Sequence, residues 1–267
     1  QRLISYGKLT HQSLPTLEKI YTGGAPVFPH LLEEIGNLAP NASVVSVYGS
    51  TEAEPIAHID RREIRPDDHN AMLNGRGLLA GFPVPEVSLR VLRDRWGAPR
   101  PALNLDAFIA EAVLAGQAGE IVVTGEHVVR GYLGGVGDLE TKFSVDGVVW
   151  HRTGDAGLFD ELGRLWLLGR CSARIDDARG SLYPFGVECV AMSFPDVRRA
   201  AALARKGERL LVVEADASAA LKRRLQQATE WAFIDEIVFL DKIPVDKRHN
   251  AKIDYPALEH LLSRAPH

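Results

Sequence analysis

The chain has 267 residues, 31 Lys and Arg against 35 Asp and Glu, a formal net charge of -4 and 46% hydrophobic residues. That balance offers no electrostatic footprint for nucleic acid or an acidic membrane, and the apolar fraction suffices for buried cores without metal or disulfide support. Two cysteines, Cys171 and Cys189, with no His at ligand spacing, speak against a disulfide framework or zinc site and fit a reducing compartment.

No apolar run reaches the roughly 18 residues of a membrane span, and no basic, apolar leader opens the chain, so the cytoplasm is the expected location. The first residue is Gln1 rather than Met, so an upstream portion that was trimmed, processed or never built is expected. The length predicts one large and one smaller unit.

After a polar start, residues 31–38 are predicted as a short helix and 43–47 as a buried strand ending at Tyr48-Gly49. Residues 87–92 read as a strand. Residues 106–114 place Phe108, Ala112 and Val113 at helical spacing, with Asn104 or Asp106 as N-cap, so a helical insertion is expected between Asp94 and Ala118. From Glu120 the pattern turns β-rich, with strands over 120–124, 148–151, 156–159 and 164–168, the last two joined by a turn over 160–163.

A second α/β pattern follows Gly169-Arg170. It comprises a short helix near 187–192, strands over 199–204 and 210–214 joined across Lys206-Gly207, and a long helix from the N-cap Ser218 to Ala232. Leu221, Leu225, Ala228 and Ala232 share one face of that helix; a strand over 236–240 and a closing helix over 256–263 complete the set. There is no repeat and no Pro-rich tether, so the boundary near Arg170 is predicted to be a tight hinge between units 1–170 and 171–267.

Four segments place glycine or polar residues where periodicity asks for core: Gly23-Gly24-Ala25-Pro26, Tyr48-Gly49-Ser50-Thr51-Glu52, Arg152-Thr153-Gly154-Asp155 and Asn250-Ala251-Lys252-Ile253. In the second, a strand ends, a glycine lets the backbone turn, and an aromatic, a hydroxyl and a carboxylate are presented at its edge. An aromatic face can stack on adenine, a hydroxyl can bond phosphate, and a carboxylate can hold magnesium. Each segment also has a plain reading: a turn before a helix, a strand-to-loop turn with a capping Thr, a surface-turn aspartate, and a solvated basic loop.

In order and spacing these segments, with Gly119-Glu120 and Gly131-Tyr132-Leu133 between them, resemble the adenylate-forming superfamily that contains acyl-CoA synthetases, firefly luciferase and peptide-synthetase adenylation domains. The resemblance covers nearly the whole chain. It implies an α/β fold in which the remainder of a large domain, a mixed sheet with a β-rich subdomain, precedes a small lid. It also implies ATP-dependent activation of a carboxylic acid as an acyl-adenylate. Gly23, Gly24, Ala25 and Pro26 would lie against the adenine and Tyr48 would stack on it within Tyr48-Gly49-Ser50. Thr51 would bond phosphate, Glu52 would hold Mg2+, and Asp155 with Arg170 would hold the ribose. Lys252 would bridge the substrate carboxylate and the phosphate while charge grows in the transition state.

The sequence departs from that pattern in several places. Ala251 stands where relatives carry glycine. Ala173 occupies the hinge position, Asp176 replaces the lysine that gates coenzyme A, and the gating glycine is displaced by one, to Gly180. With Tyr183-Pro184-Phe185-Gly186-Val187-Glu188 and Arg248-His249-Asn250-Ala251-Lys252-Ile253, the chain looks more like the olefin-pathway branch. There, the hydroxyl of a 3-hydroxy acid displaces AMP from its own adenylate to close a β-lactone. Nowhere does the sequence carry the Gly, Ser and Thr-rich phosphate loop with its lysine, so the expectation is a fragment whose partner is the upstream segment of the same enzyme. The alternatives are a thioester-forming ligase and a non-catalytic AMP-binding module. Acyl chain length and oligomeric state are left open.

Overall fold

The computed structural model describes residues 2–246 and 252–264. Helix α1 (Arg2–Thr10) leads to strand β1 (Lys19–Gly23), helix α2 (Pro29–Leu38) and strand β2 (Ser43–Ser50). Pro29 starts α2, where its missing N–H would have lacked a partner anyway. The helix is a crossover, so β1 pairs parallel with β2.

Strands β3 (Ala53–Asp60), β4 (Leu78–Pro83) and β5 (Val87–Leu92) follow, with helix α3 (Pro66–Leu73) between β3 and β4 and helix α4 (Leu105–Glu111) after β5. Strand β6 (Gly119–Gly125), a short helix α5 (Asp138–Thr141), and strands β7 (Lys142–Val145), β8 (Val148–Phe159) and β9 (Leu165–Arg170) complete a nine-stranded sheet. Its order is β1-β2-β3-β4-β9-β8-β6-β5, with β7 on β8. Ile56, Ala57, Leu89, Val91, Ile121, Val123 and Leu165 form one of its cores.

The α/β character and the position of β5 agree with expectation; several elements differ. The polar start is helical, and β1, β3, β4 and β7 were not foreseen. The strands expected over 148–151 and 156–159 are one strand of 12 residues. Arg152 stays inside it, 1% exposed, because Glu120, itself 0% exposed, accepts from its Nε and Nη2 at 2.9 Å each. The insertion is helical only over Leu105–Glu111, capped by Asn104, one of the two expected candidates, with Asp106 in the first turn; Ala112 instead bridges to Leu92.

Beyond Arg170 the chain makes one tight turn (Cys171–Ala173) and a hairpin of β10 (Ile175–Asp177) and β11 (Gly180–Leu182). Helix α6 (Pro184–Met192), β12 (Arg199–Arg205), β13 (Glu208–Glu214), helix α7 (Ala219–Ala228), β14 (Glu236–Leu240) and helix α8 (Tyr255–Arg264) then build a three-stranded sheet in the order β12-β13-β14. One face packs Leu211, Val213 and Ile237 with Val187, Leu221 and Leu225 of α6 and α7. The other packs Leu203, Leu210 and Val212 on Leu258 and Leu262 of α8. The α-helical part of α7 ends at Ala228, four residues before the expected end. Thr229 Oγ1 donates back to the Leu225 carbonyl at 2.8 Å, a bond that competes with the helix ladder, and Ala232 is reached through a 3-10 turn.

Helix α6 joins the two sheets. Cys189 and Phe185 pack with Met72, Leu78, Leu79 and Trp166 of the large sheet and α3. A Cβ placed on Gly75 would fall 2.1 Å from the Trp231 ring, so that glycine admits the indole.

Candidate functional site

Three of the residues singled out in the sequence meet at the carboxyl end of β2. The Tyr48 hydroxyl donates to Asp155 Oδ2 at 2.9 Å, and Arg170 Nη1 donates to Asp155 Oδ1 at 2.8 Å. They come from β2, β8 and β9, so sheet registry sets their geometry. Asp155 sits opposite Arg170 in the β8–β9 ladder, and its N–H is held by Thr153 Oγ1 at 3.0 Å. Burial and the Asp155 carboxylate push the Tyr48 phenol well above its ordinary pKa, so the tyrosine stays a neutral donor. A carboxylate offers about four lone-pair sites, so Asp155 retains acceptor capacity beyond these two bonds.

Glu52 lies in the tight turn that joins β2 to β3. Its Oε1 accepts the Tyr132 hydroxyl at 2.7 Å. Burial is the largest influence on Glu52 and opposes its ionisation, but the hydrogen bonds from Tyr132, the backbone and Ser50 together outweigh it and hold the carboxyl below its ordinary value. The Lys142 ammonium lies 5.2 Å from the Tyr132 ring centroid and 3.0 Å from His151 Nδ1. Burial, then the Lys142 charge, push His151 down to about 4, so the imidazole is neutral at neutral pH. An ammonium can only donate; Nδ1 therefore accepts from Lys142, the ring proton is on Nε2, and the Thr141 carbonyl 3.2 Å from Nδ1 receives no bond from it.

Lys142 lies outside the motifs of the sequence, and Tyr132 and His151 carry no role in them. Lys142 had a usable signal: a lysine at the start of an apolar strand, ahead of Phe143, needs a reason to be only 9% exposed.

The other segments are placed as follows. A Cβ on Gly23 would lie 2.6 Å from the Val47 carbonyl oxygen, so close approach of β1 to β2 requires this glycine. Gly24 adopts φ 78 with open space around it; Ala25 and Pro26 follow in the loop before α2. Gly49 has similar constraints, 2.9 Å from the Ala53 carbonyl oxygen, and Ser50 pairs with Ala53 to close the β2–β3 turn. Thr51 is exposed. Lys252 is also exposed, next to Ile253, which bridges to Val245. Among the described residues no hydrogen bond or ion pair connects Lys252 to Asp155 or Glu52. Lys247, Arg248, His249, Asn250 and Ala251 lie outside the described residues.

Glu52 suits magnesium, which is usually held by one or two carboxylates together with substrate phosphates. No group of three or more His, Cys, Asp or Glu forms a preassembled metal cage among the described residues, and no described helix is long and apolar enough to cross a membrane.

Residues 1–133 match the family model described as AMP-binding enzyme. The olefin β-lactone synthetase of Stenotrophomonas maltophilia is 32% identical over 259 residues, which are 90% of this chain and 46% of that protein. The chain belongs to the adenylate-forming superfamily. This adenylate-forming chain is also 30% identical over 190 residues, 68% of its length, to 31% of the chloroplastic/peroxisomal 2-succinylbenzoate–CoA ligase of Arabidopsis thaliana. The amide bond synthetase McbA of Marinactinospora thermotolerans superposes with a TM-score of 0.70 at 26% identity, over 98% of this chain and 50% of that one. The adenylate-forming chain thus spans about half the length of the curated synthetase it matches.

Proposed function

We propose that this chain is the nucleotide-site and lid portion of an AMP-forming ligase that activates a carboxylic acid with ATP. The observation that carries the reading is Asp155 held between Tyr48 and Arg170. A carboxylate fixed on both sides, with lone pairs left over, is suited to receive two adjacent ribose hydroxyls. Tyr48 keeps its ring for adenine, Gly23 to Pro26 line the opposite face, Thr51 reaches phosphate, and Glu52 holds Mg2+ in the posture Tyr132 gives it.

In the reaction the substrate carboxylate oxygen attacks the α-phosphorus of ATP and pyrophosphate leaves. Lys252 neutralises the charge that grows between them, carried there by rotation of residues 171–267 about Ala173 as a lid on 1–170. The rest of the enzyme's large domain would cover the exposed face of α1 and β1, where Leu3, Tyr6, Leu9 and Tyr21 are 58, 57, 81 and 64% exposed.

We further propose that the acid is a 3-hydroxy fatty acid and that its own hydroxyl oxygen attacks the acyl carbon of the adenylate, expelling AMP and losing its proton to close a β-lactone. The name of the 32% identical synthetase supports this. So does Asp176, which stands at the position expected of a lysine and is bound by Arg174 Nε at 2.8 Å and by Ser181 Oγ at 2.5 Å. The similarity to a CoA ligase supports the thioester alternative.

Joined to the upstream part of its large domain, the protein should release pyrophosphate only when a carboxylic acid is present; none released across an acid panel counts against the reading. Mass spectrometry then separates the products: lactone without thiol, or a thioester that needs coenzyme A. For the chain alone, Asp155→Asn should weaken AMP binding by about tenfold or more, the worth of one charge-assisted hydrogen bond, as measured by calorimetry.

A further inference from the structure

Asp94 opens the insertion after β5, far in sequence from the segment it binds. Its Oδ1 accepts the Trp96 N–H at 2.9 Å, which orients the carboxylate. Oδ2 accepts from Arg174 Nη1 at 2.7 Å and from the Tyr183 hydroxyl at 2.9 Å. The Asp94 side chain is 4% exposed.

The two donors flank the β10–β11 hairpin. Arg174 immediately precedes Ile175 and Tyr183 immediately follows Leu182, the residues that pair at its base. One carboxylate of the large sheet's insertion therefore clasps both feet of the hairpin. Its tip is tied to the other sheet: Arg209 donates to both oxygens of Asp177 at 2.8 and 2.7 Å, and Arg179 donates to Asp235 at 2.7 and 2.8 Å. The hairpin is thus tied to the small sheet at its tip, its foot residues Ile175 and Leu182 pack in the small sheet's core, and Arg174 and Tyr183 beside them tether it to the large sheet's insertion.

We propose that Asp94 is a latch: while it holds Arg174 and Tyr183 the second unit keeps the observed posture, and rotation about Ala173 requires the carboxylate to release both. The inference rests on the reading of 171–267 as a moving lid. Arg174 directly follows Ala173, so anchoring it restrains the torsions on which that rotation depends. The apolar seam of Cys189 and Phe185 on Leu78, Leu79 and Trp166 also spans the junction. Apolar attraction is non-directional and tolerates sliding, whereas hydrogen bonds weaken steeply with misalignment. The hydrogen-bonded cluster at Asp94 is directional and holds one register across the junction, beside the close steric fit of Trp231 on Gly75.

Hydrogen exchange read by mass spectrometry on the whole chain tests this without ligand. Asp94→Ala should speed exchange at the hairpin feet, residues 171–175 and 182–184, by about tenfold, the worth of one or two lost hydrogen bonds, and leave the tip at 177–180 unchanged. Tyr183→Phe, which removes one oxygen, should give a smaller rise at the same feet. Unchanged exchange at the feet in both variants overturns the latch. If Asp94→Ala loosens the whole chain, Tyr183→Phe decides: a rise confined to the feet supports the latch, and none overturns it. An AMP titration of the unaltered chain runs beside these measurements. Failure to bind AMP counts against the nucleotide site and leaves the exchange result on the latch intact.

Discussion

The two sheets each carry a network of arginine and carboxylate, and the two networks differ in how far water reaches them. In the large sheet, Glu120 and Arg152 keep 0 and 1% of their side-chain exposure, with Arg100 adding a third member at 3.5 Å from Glu120. In the small sheet, Asp177, Arg179 and Asp235 keep 18, 31 and 34%. Similar contacts on paper thus have different consequences. A buried partner left alone is a charge without solvation, whereas an exposed partner left alone is rehydrated.

The largest expected effect follows from the first network. Arg152→Met should destabilise the chain by about 3–5 kcal/mol, because buried Glu120 loses both of its short bonds and keeps only the 3.5 Å contact to Arg100. Adding Glu120→Leu should recover much of that loss, a double-mutant cycle measurable in denaturant melts. If the double variant is no more stable than Arg152→Met, the loss is not one of stranded charge. The carbonyls of Ala98 and Glu140, which accept from Arg152 Nη1 at 2.7 and 3.1 Å, would then be the larger cause.

The next effect concerns a buried acid whose ion-pair partner is not found among the described residues. Glu188 on α6 is 2% exposed and bound by the Tyr255 hydroxyl at 2.6 Å and the Ala202 N–H at 3.1 Å. Burial outweighs both bonds and raises its pKa to about 7. The folded pKa therefore lies above the unfolded one, and stability present below the unfolded carboxyl value is lost as pH rises to about 7. At about 1.4 kcal/mol per unit the loss is roughly 3 kcal/mol. Glu188→Gln should flatten that limb of a melting-temperature profile; a profile as steep as that of the unaltered chain would show that Glu188 is ionised in the fold.

Between buried and exposed lies the Tyr132–Glu52 bond. Tyr132→Phe should cost about 1–2 kcal/mol or less in stability, since Glu52 is part-exposed and water can replace the hydroxyl. On the proposed reading it should also raise the Mg2+ concentration needed to tighten AMP binding. A change in stability alone, with unchanged Mg2+ dependence, would make Tyr132 merely structural.

These contrasts also explain what could be read in the sequence. Residues 87–92 and 236–240 match β5 and β14 because both are continuous apolar or alternating runs bounded by turns. Strand β4 escaped notice because Gly81 and Pro83 interrupt it, and β3 because Pro55 and two alanines dilute its pattern. The site was legible as a set of motifs, and Tyr48, Asp155 and Arg170 do meet. What tunes it was not: Tyr132 reaches Glu52 across 80 residues, and Asp94 reaches Tyr183 across 89. Local periodicity carries no term for such contacts, since they depend on which strands become neighbours.

The smallest effect is expected at the exposed network. Arg179→Ala removes donors to both Asp177 and Asp235, yet Asp177 keeps Arg209 and Asp235 keeps the Arg209 N–H at 2.7 Å. Both carboxylates stay partnered and water covers the remainder, so melting in high salt should scarcely differ from that of the unaltered chain, with a small loss visible only at low ionic strength. Arg209→Ala offers the internal contrast, because Arg209 is only 3% exposed and also donates to the Ala232 and Gly180 carbonyls at 2.8 and 2.7 Å. Its loss strands the buried Ala232 carbonyl and should persist in high salt. If the two variants respond alike to salt, burial is not what separates the two sheets, and the distinction must be sought in the geometry of each pair.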